Sequence, residues 1–373
     1  MKSLRPWARG LAVLSLAGLA AAAPAAPAAS AAVGPRGGVS QAAAQAAGAA
    51  WRLRTVLRER LSERITSQVV DARVGTDYSL VSTTNSLGSP YRLRRTDLAT
   101  GSARTGPEFG VSGLGLAAGY LWISGNVPPQ SMSFHLVLYQ VNPATLAVVR
   151  SWRLTPRRES ASDIVKVAAG RGHTIWVGFQ RTVLQIDTGT GATIDKIRLP
   201  AGMFLSDVAE SRAHIRLYVA AAGIKSGGAD VFEYAATGGR LLASTGHHPL
   251  PSAGGAELTA VPGGVWASFR TGMLGQTVLL RRGDLSGAPL SGGIYGWPMN
   301  ATTLYGGGAL WLINGNNAVG CIAPNTGVVR HQRTLAQLGG NGELLAVNAV
   351  SHVIYALGTR GVIAITPPRG CWA

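Results

Sequence analysis

Seven polar residues occupy one position of a recurring pattern: Gln68, Ser112, Asp163, Asp207, Glu257, Asn300 and Glu343, each in the short strand-like segment that opens a unit. The chain is 46% hydrophobic and only 14% charged, so a column without one apolar member is a selective arrangement. Were the units arranged in a ring, the column would line a central mouth with four carboxylates. Two chemistries compete there. Clustered carboxylate and amide oxygens suit a hard cation such as Ca²⁺, which takes about six to eight oxygen ligands. Alternatively, polar groups at strand starts meet channel water and satisfy backbone groups, and a seven-membered ring is wide for one bare ion.

Loops between units would emerge at the same mouth, and they carry Arg158, Phe204, His247, His248, Tyr295 and Trp297. Cationic, imidazole and aromatic groups beside carboxylates make this the expected binding face. The remaining histidines, His173, His214 and His352, recur just before an aromatic in separate units, and a shared metal would need them to converge. Serine nucleophile elbows, phosphate loops and cysteine-rich zinc spacings do not occur.

The elements that must position these groups are read from the repeat. A turn signal returns at Thr100-Gly101, Thr145-Leu146, Thr190-Gly191, Thr237-Gly238, Ser286-Gly287, Thr326-Gly327 and, degenerate, Arg369-Gly370, at intervals of 40 to 49 residues. Alternating segments flank each turn, as in Val183–Asp187 and Thr193–Ile197, the pattern of a β-hairpin. Upstream, an aromatic anchors an apolar run in every unit: Tyr78, Trp122, Trp176, Tyr218, Trp266, Trp311 and Tyr355. With the opening segment this makes four strands per unit, the size of a propeller blade. The expected fold is therefore all-β, a seven-bladed β-propeller of four-stranded antiparallel blades over 51–373. Its last unit lacks a fourth strand. Residues 51–60 offer one, because Trp51, Leu53, Thr55 and Leu57 alternate with Arg52, Arg54, Val56 and Arg58. A basic amphipathic helix is the competing form.

Runs such as Gly170-Arg171-Gly172-His173-Thr174-Ile175-Trp176-Val177 followed by Ile186-Asp187-Thr188-Gly189-Thr190-Gly191 resemble the repeats of bacterial secreted seven-bladed propellers, the group with YVTN-type, virginiamycin B lyase-like and quinoprotein-like repeats. The resemblance spans about 300 residues. It implies the fold and leaves activity open, since propeller function lies in loops on the ring. The lyase-like relatives would imply a histidine–glutamate pair, here His247 or His248 with Glu257. The quinone-dependent members carry adjacent cysteines, which this chain lacks.

Lys2, Arg5 and Arg9 precede an apolar run from Leu11 to Ala23, and Ala29-Ser30-Ala31 offers a cleavage site, so 1–31 read as a secretory signal peptide. An uncleaved anchor is the other reading, although the run is short for a span. Residues 32–50 read as a flexible Ala/Gly-rich lead-in. Cleavage would remove those three cations and lower the net charge from +17 to +14. Cys321 and Cys371 lie in the exported part, as a disulfide or as two buried thiols. The arginines are spread over the blades apart from the 52–64 stretch, which suits weak attraction to an anionic cell-wall polymer and does not suit nucleic acid. The expectation is a monomeric, secreted or envelope-associated scaffold, without a transmembrane span in its mature part, that binds a protein or small molecule at its channel mouth. The alternative is a lyase or hydrolase with a cation or histidine–carboxylate site there.

Overall fold

Alternating burial marks the strands: in His135–Val141 the side chains of Leu136, Leu138 and Gln140 turn inward while those of His135, Val137 and Tyr139 between them stay half-exposed. The structure, a computed structural model, describes residues 51–58, 64–82, 90–127, 135–155, 165–211, 213, 215–223, 228–246, 255–271, 274–289, 302–313, 317–338 and 342–372. These form seven four-stranded antiparallel sheets. Blades 1 to 6 span 64–109, 111–153, 165–198, 203–244, 256–289 and 302–334, each with its strands in chain order. Blade 7 takes three strands from 343–366 and its outermost strand, Arg52–Arg58, from the other end of the chain. The expected closing strand of 51–60 is present over 52–58, in place of the competing helix, and residues 59–60 lie outside the described residues. Successive first strands pack against one another around the whole circuit, with that of blade 7 meeting that of blade 1. The result is the expected closed seven-bladed propeller. Residues 1–50, with the signal peptide and lead-in, lie outside the described residues.

Every blade-to-blade interface holds its own apolar cluster. Tyr78, Trp122, Trp176, Tyr218, Trp266 and Trp311 are buried in these clusters, and Tyr355 is half-buried. The polar ends of Tyr78 and of the four tryptophans find acceptors, whereas the buried Tyr218 hydroxyl has none among the described residues. Trp266 Nε1 donates to Pro324 O of blade 6 at 2.8 Å, and Tyr78 OH donates to Pro143 O of blade 2.

The recurring turn joins the third and outermost strands. In blades 1, 2 and 3 the Oδ1 of Asp97, Asn142 or Asp187 accepts hydrogen bonds from the backbone two and three residues on. The residue that follows has positive φ: Gly101 at 73° and Gly191 at 80°. Leu146 and Leu285 hold the same conformation without a glycine. Their side chains are buried against the preceding blade, and that packing offsets the strain. In blade 5 the turn accordingly falls at Asp284-Leu285, two residues before the expected Ser286-Gly287. Arg369-Gly370 makes no hairpin turn; it opens a short 3-10 helix that ends at Cys371. Cys371 is joined to Cys321 of blade 6 as a disulfide, with Cα atoms 5.7 Å apart.

Candidate functional site: the charged ring of the channel

Strand register fixes which side chains share a level along the innermost strands. In every blade one residue of the first strand stands opposite the residue two beyond the blade aromatic. These residues are Ser67, Gly113, Lys166, Asp207, Glu257, Thr302 and Glu343. Three of the expected carboxylates, Asp207, Glu257 and Glu343, are on this ring. Lys166 holds blade 3's place, where Asp163 was expected, and Thr302 holds blade 6's, where Asn300 was expected. Gln68 and Ser112 are each one residue out of step. Gln68 Nε2 donates instead to the buried Asp77 Oδ1 at 2.8 Å.

Ring level follows pairing with the second strand, not spacing along the chain: the turn between the first two strands is 170–173 in blade 3 but 307–308 in blade 6. Bulges at Thr66, Ser112, Ser206 and Leu345 in blades 1, 2, 4 and 7 add further irregularity. Counting back through the hairpin from each aromatic is the signal that finds Lys166, Thr302 and Ser67. Asp163 and Asn300, with the loop residues Arg158, His247, His248, Tyr295 and Trp297, lie outside the described residues.

Part of the ring holds blades together. An innermost strand leaves amide groups facing the channel, and side chains of the preceding blade take them up. Leu114 N donates to Ser67 Oγ at 3.2 Å, Leu258 N to Asp207 Oδ2 at 2.8 Å and Leu344 N to Thr302 Oγ1 at 2.8 Å. The other oxygen of Asp207 lies 3.9 Å from Lys166 Nζ. Burial between blades pushes the Asp207 carboxyl above its ordinary range, opposed by Lys166 and by the Leu258 and Val208 amides. Glu257 and Glu343 remain exposed to solvent. The surrounding walls still raise the Glu343 carboxyl, against the pull of Lys166.

The chemistry of this set is mixed in sign. Lys166 among the carboxylates would repel a bare dication, and among the described residues no group of three or more His, Cys, Asp or Glu is placed to hold one. The described part of the ring thus does not fit the Ca²⁺ site considered from sequence. It suits a ligand that offers an anionic group to Lys166 and cationic groups to Glu257 and Glu343.

No protein-family model matches the chain, and no curated protein matches it. Among solved structures it is similar to BamB from Moraxella catarrhalis, with 18% identity, a TM-score of 0.52, and coverage of 81% of this chain and 84% of that one. It is also similar to the RRP9 WD40 repeats, with 11% identity, a TM-score of 0.57, and coverage of 85% and 97%. The likeness is one of fold. Both comparisons support the propeller fold, and neither assigns an activity at such identities.

Proposed function

We propose that the protein is an exported propeller that acts as a binding scaffold at the cell envelope, presenting its channel mouth to a protein or small-molecule ligand. The observation that carries this reading is the charge held at one level of the ring: Lys166, Glu257 and Glu343 place both signs there, the two glutamates exposed to solvent, while Ser67, Asp207 and Thr302 tie neighbouring blades together. Charged groups held at fixed positions around an opening give orientation and selectivity to an incoming partner. The fold shared with BamB and the RRP9 WD40 repeats is consistent with a platform role. Residues 1–31 supply the address, and export would end with a chain beginning after Ala31.

The test is differential capture. Full-length mature protein and a Lys166→Ala/Glu257→Gln/Glu343→Gln variant of equal melting temperature are compared against an envelope fraction. Partners held by the wild type and lost by the variant are expected; identical capture by both would remove the channel mouth from the reading. Mass analysis of secreted protein should show cleavage after Ala31, and an intact chain kept inside the cell would overturn export.

A further inference from the structure

Closure of the ring gathers a charge that the linear sequence scatters. Blade 6, blade 7 and the closing strand contribute Arg52, Arg54, Arg58, Arg330, Arg333, Arg360 and Arg369, and all seven are exposed. The carboxylate within these described stretches is Glu343, which belongs to the channel. None of the seven guanidinium groups has a hydrogen-bond or ion-pair partner among the described residues. Some arginines elsewhere are engaged: Arg73 with Asp71 at 3.0 Å, Arg92 with Glu108 at 2.6 Å, and Arg216 with the buried Glu233 at 3.0 Å.

Arg360 lines one groove, and two more of the seven face it. The groove, of about 330 Å³, runs between the outer part of blade 7 and the segment that joins it to blade 6, lined by Thr55, Ala336, Gln337, Thr359, Arg360 and Ile363. Arg58 pairs with Gly361, two residues from the Ile363–Thr55 pair, so a bulge at Val56 turns it to the groove side. Arg333 stands opposite Val319, whose side chain packs in the cluster between blades 6 and 7, and it therefore faces blade 7. At the far end, Arg369 adjoins Gly370, where an added Cβ would lie 2.9 Å from Nε2 of blade 6's His331. The closing strand of 7 residues rises roughly 20 Å between these ends.

We propose that this groove binds the phosphoryl groups of an anionic polymer that carries no bases. Planar guanidinium groups engage phosphate oxygens in pairs, and the hydroxyl of Thr55 with the side-chain amide of Gln337 adds neutral donors between them. The length of the basic track fits a chain better than a single ion. Among the described residues that line the groove none is aromatic, so they offer a nucleobase nothing to stack on. The site lies on the rim and stands independently of the channel mouth.

Fluorescence titration of the mature chain with end-labelled polyphosphate, oligothymidine and polyglutamate of matched charge tests this. Polyphosphate is expected to bind at least about 10-fold more tightly than the other two, and to weaken as salt rises. An Arg58→Ala/Arg333→Ala/Arg360→Ala variant should lose about 10-fold or more. The control removes equal charge from the outermost strands of blades 1 to 3, as Arg104→Ala/Arg153→Ala/Arg198→Ala, and should lose less than about 3-fold. Equal losses in the two variants, at equal melting temperatures, would mean diffuse charge and overturn the site. Oligothymidine or polyglutamate binding as tightly as polyphosphate would overturn the ligand class.

Discussion

Blade 7 is held differently on its two flanks. Toward blade 6 it packs Leu344, Ile354, Ile363 and Ile365 against Trp311, Ile313, Leu335 and Leu338, with Trp51 and the Cys321–Cys371 disulfide in the same cluster. Trp372 extends that flank, its ring 4.8 Å from Trp311 and 4.9 Å from His352. Gly307 leaves the space for it, since an added Cβ would meet the indole at 2.4 Å. Toward blade 1 the fully buried apolar residues are Val70, Leu98 and Val362, backed by half-buried Val56, Leu57, Leu345, Ala346 and Tyr355. One side-chain hydrogen bond crosses there, from Asn348 Nδ2 to Ala72 O at 2.6 Å. A ring can be closed by one tight flank and one lighter one, so the lighter flank, between blades 7 and 1, is where it should open first.

The largest effect should come from removing what both flanks share. Deleting 51–58 takes Trp51 and Leu53 from one side and Val56 and Leu57 from the other, and it exposes the edge of Gly361–Thr366. Differential scanning calorimetry should show a melting temperature lower by more than about 10 °C, or no cooperative transition. An unchanged transition would end the closure argument.

Next comes the covalent tie. A Cys321→Ser/Cys371→Ser variant should lose up to about 4 kcal/mol in the chain-entropy account of a loop this long, measured by urea denaturation. Adjacent residues of one strand then compare the flanks directly, because Ile363 faces blade 6 and Val362 faces blade 1. Ile363→Ala should cost about 4 kcal/mol and Val362→Ala about 2 kcal/mol. Equal costs would erase the asymmetry. Asn348→Ala should cost about 1 kcal/mol, the worth of one partly buried hydrogen bond.

The smallest effect is a pH dependence at the start of the same blade. The channel walls partly desolvate the exposed Glu343 carboxyl and raise it, so the folded chain holds this proton more strongly than the unfolded chain does. Its contribution to stability therefore grows as pH falls from the raised value toward the ordinary carboxylate range, and is lost as pH rises again. Glu343→Gln should be slightly more stable than wild type at neutral pH and should show less of this slope. Superimposable melting-temperature profiles across pH 4 to 8 would contradict it.

Much of the architecture was legible in the chain because turns and aromatics repeat with the blades. Asp97, Asn142 and Asp187 advertise their turns chemically, and the buried tryptophans mark second strands. The ring level of Lys166 and Thr302 was not legible, since it is set by pairing with the second strand and the turns between the two strands differ in length, 170–173 in blade 3 and 307–308 in blade 6. Nor was the basic track. Arg58, Arg333 and Arg360 belong to distant stretches, and they become neighbours only when Arg52–Arg58 pairs with Gly361–Thr366.

That pairing also sets an order of events. Arg52 lies near one end of the chain and its partner, Thr366, near the other, so the first strand to emerge during synthesis has no partner until the last has appeared. Six blades can assemble from contiguous sequence in the interval, while Arg52–Arg58 waits as an unpaired strand open to wrong partners. Its alternating arginines keep it soluble and discourage edge-to-edge pairing with another chain during that delay.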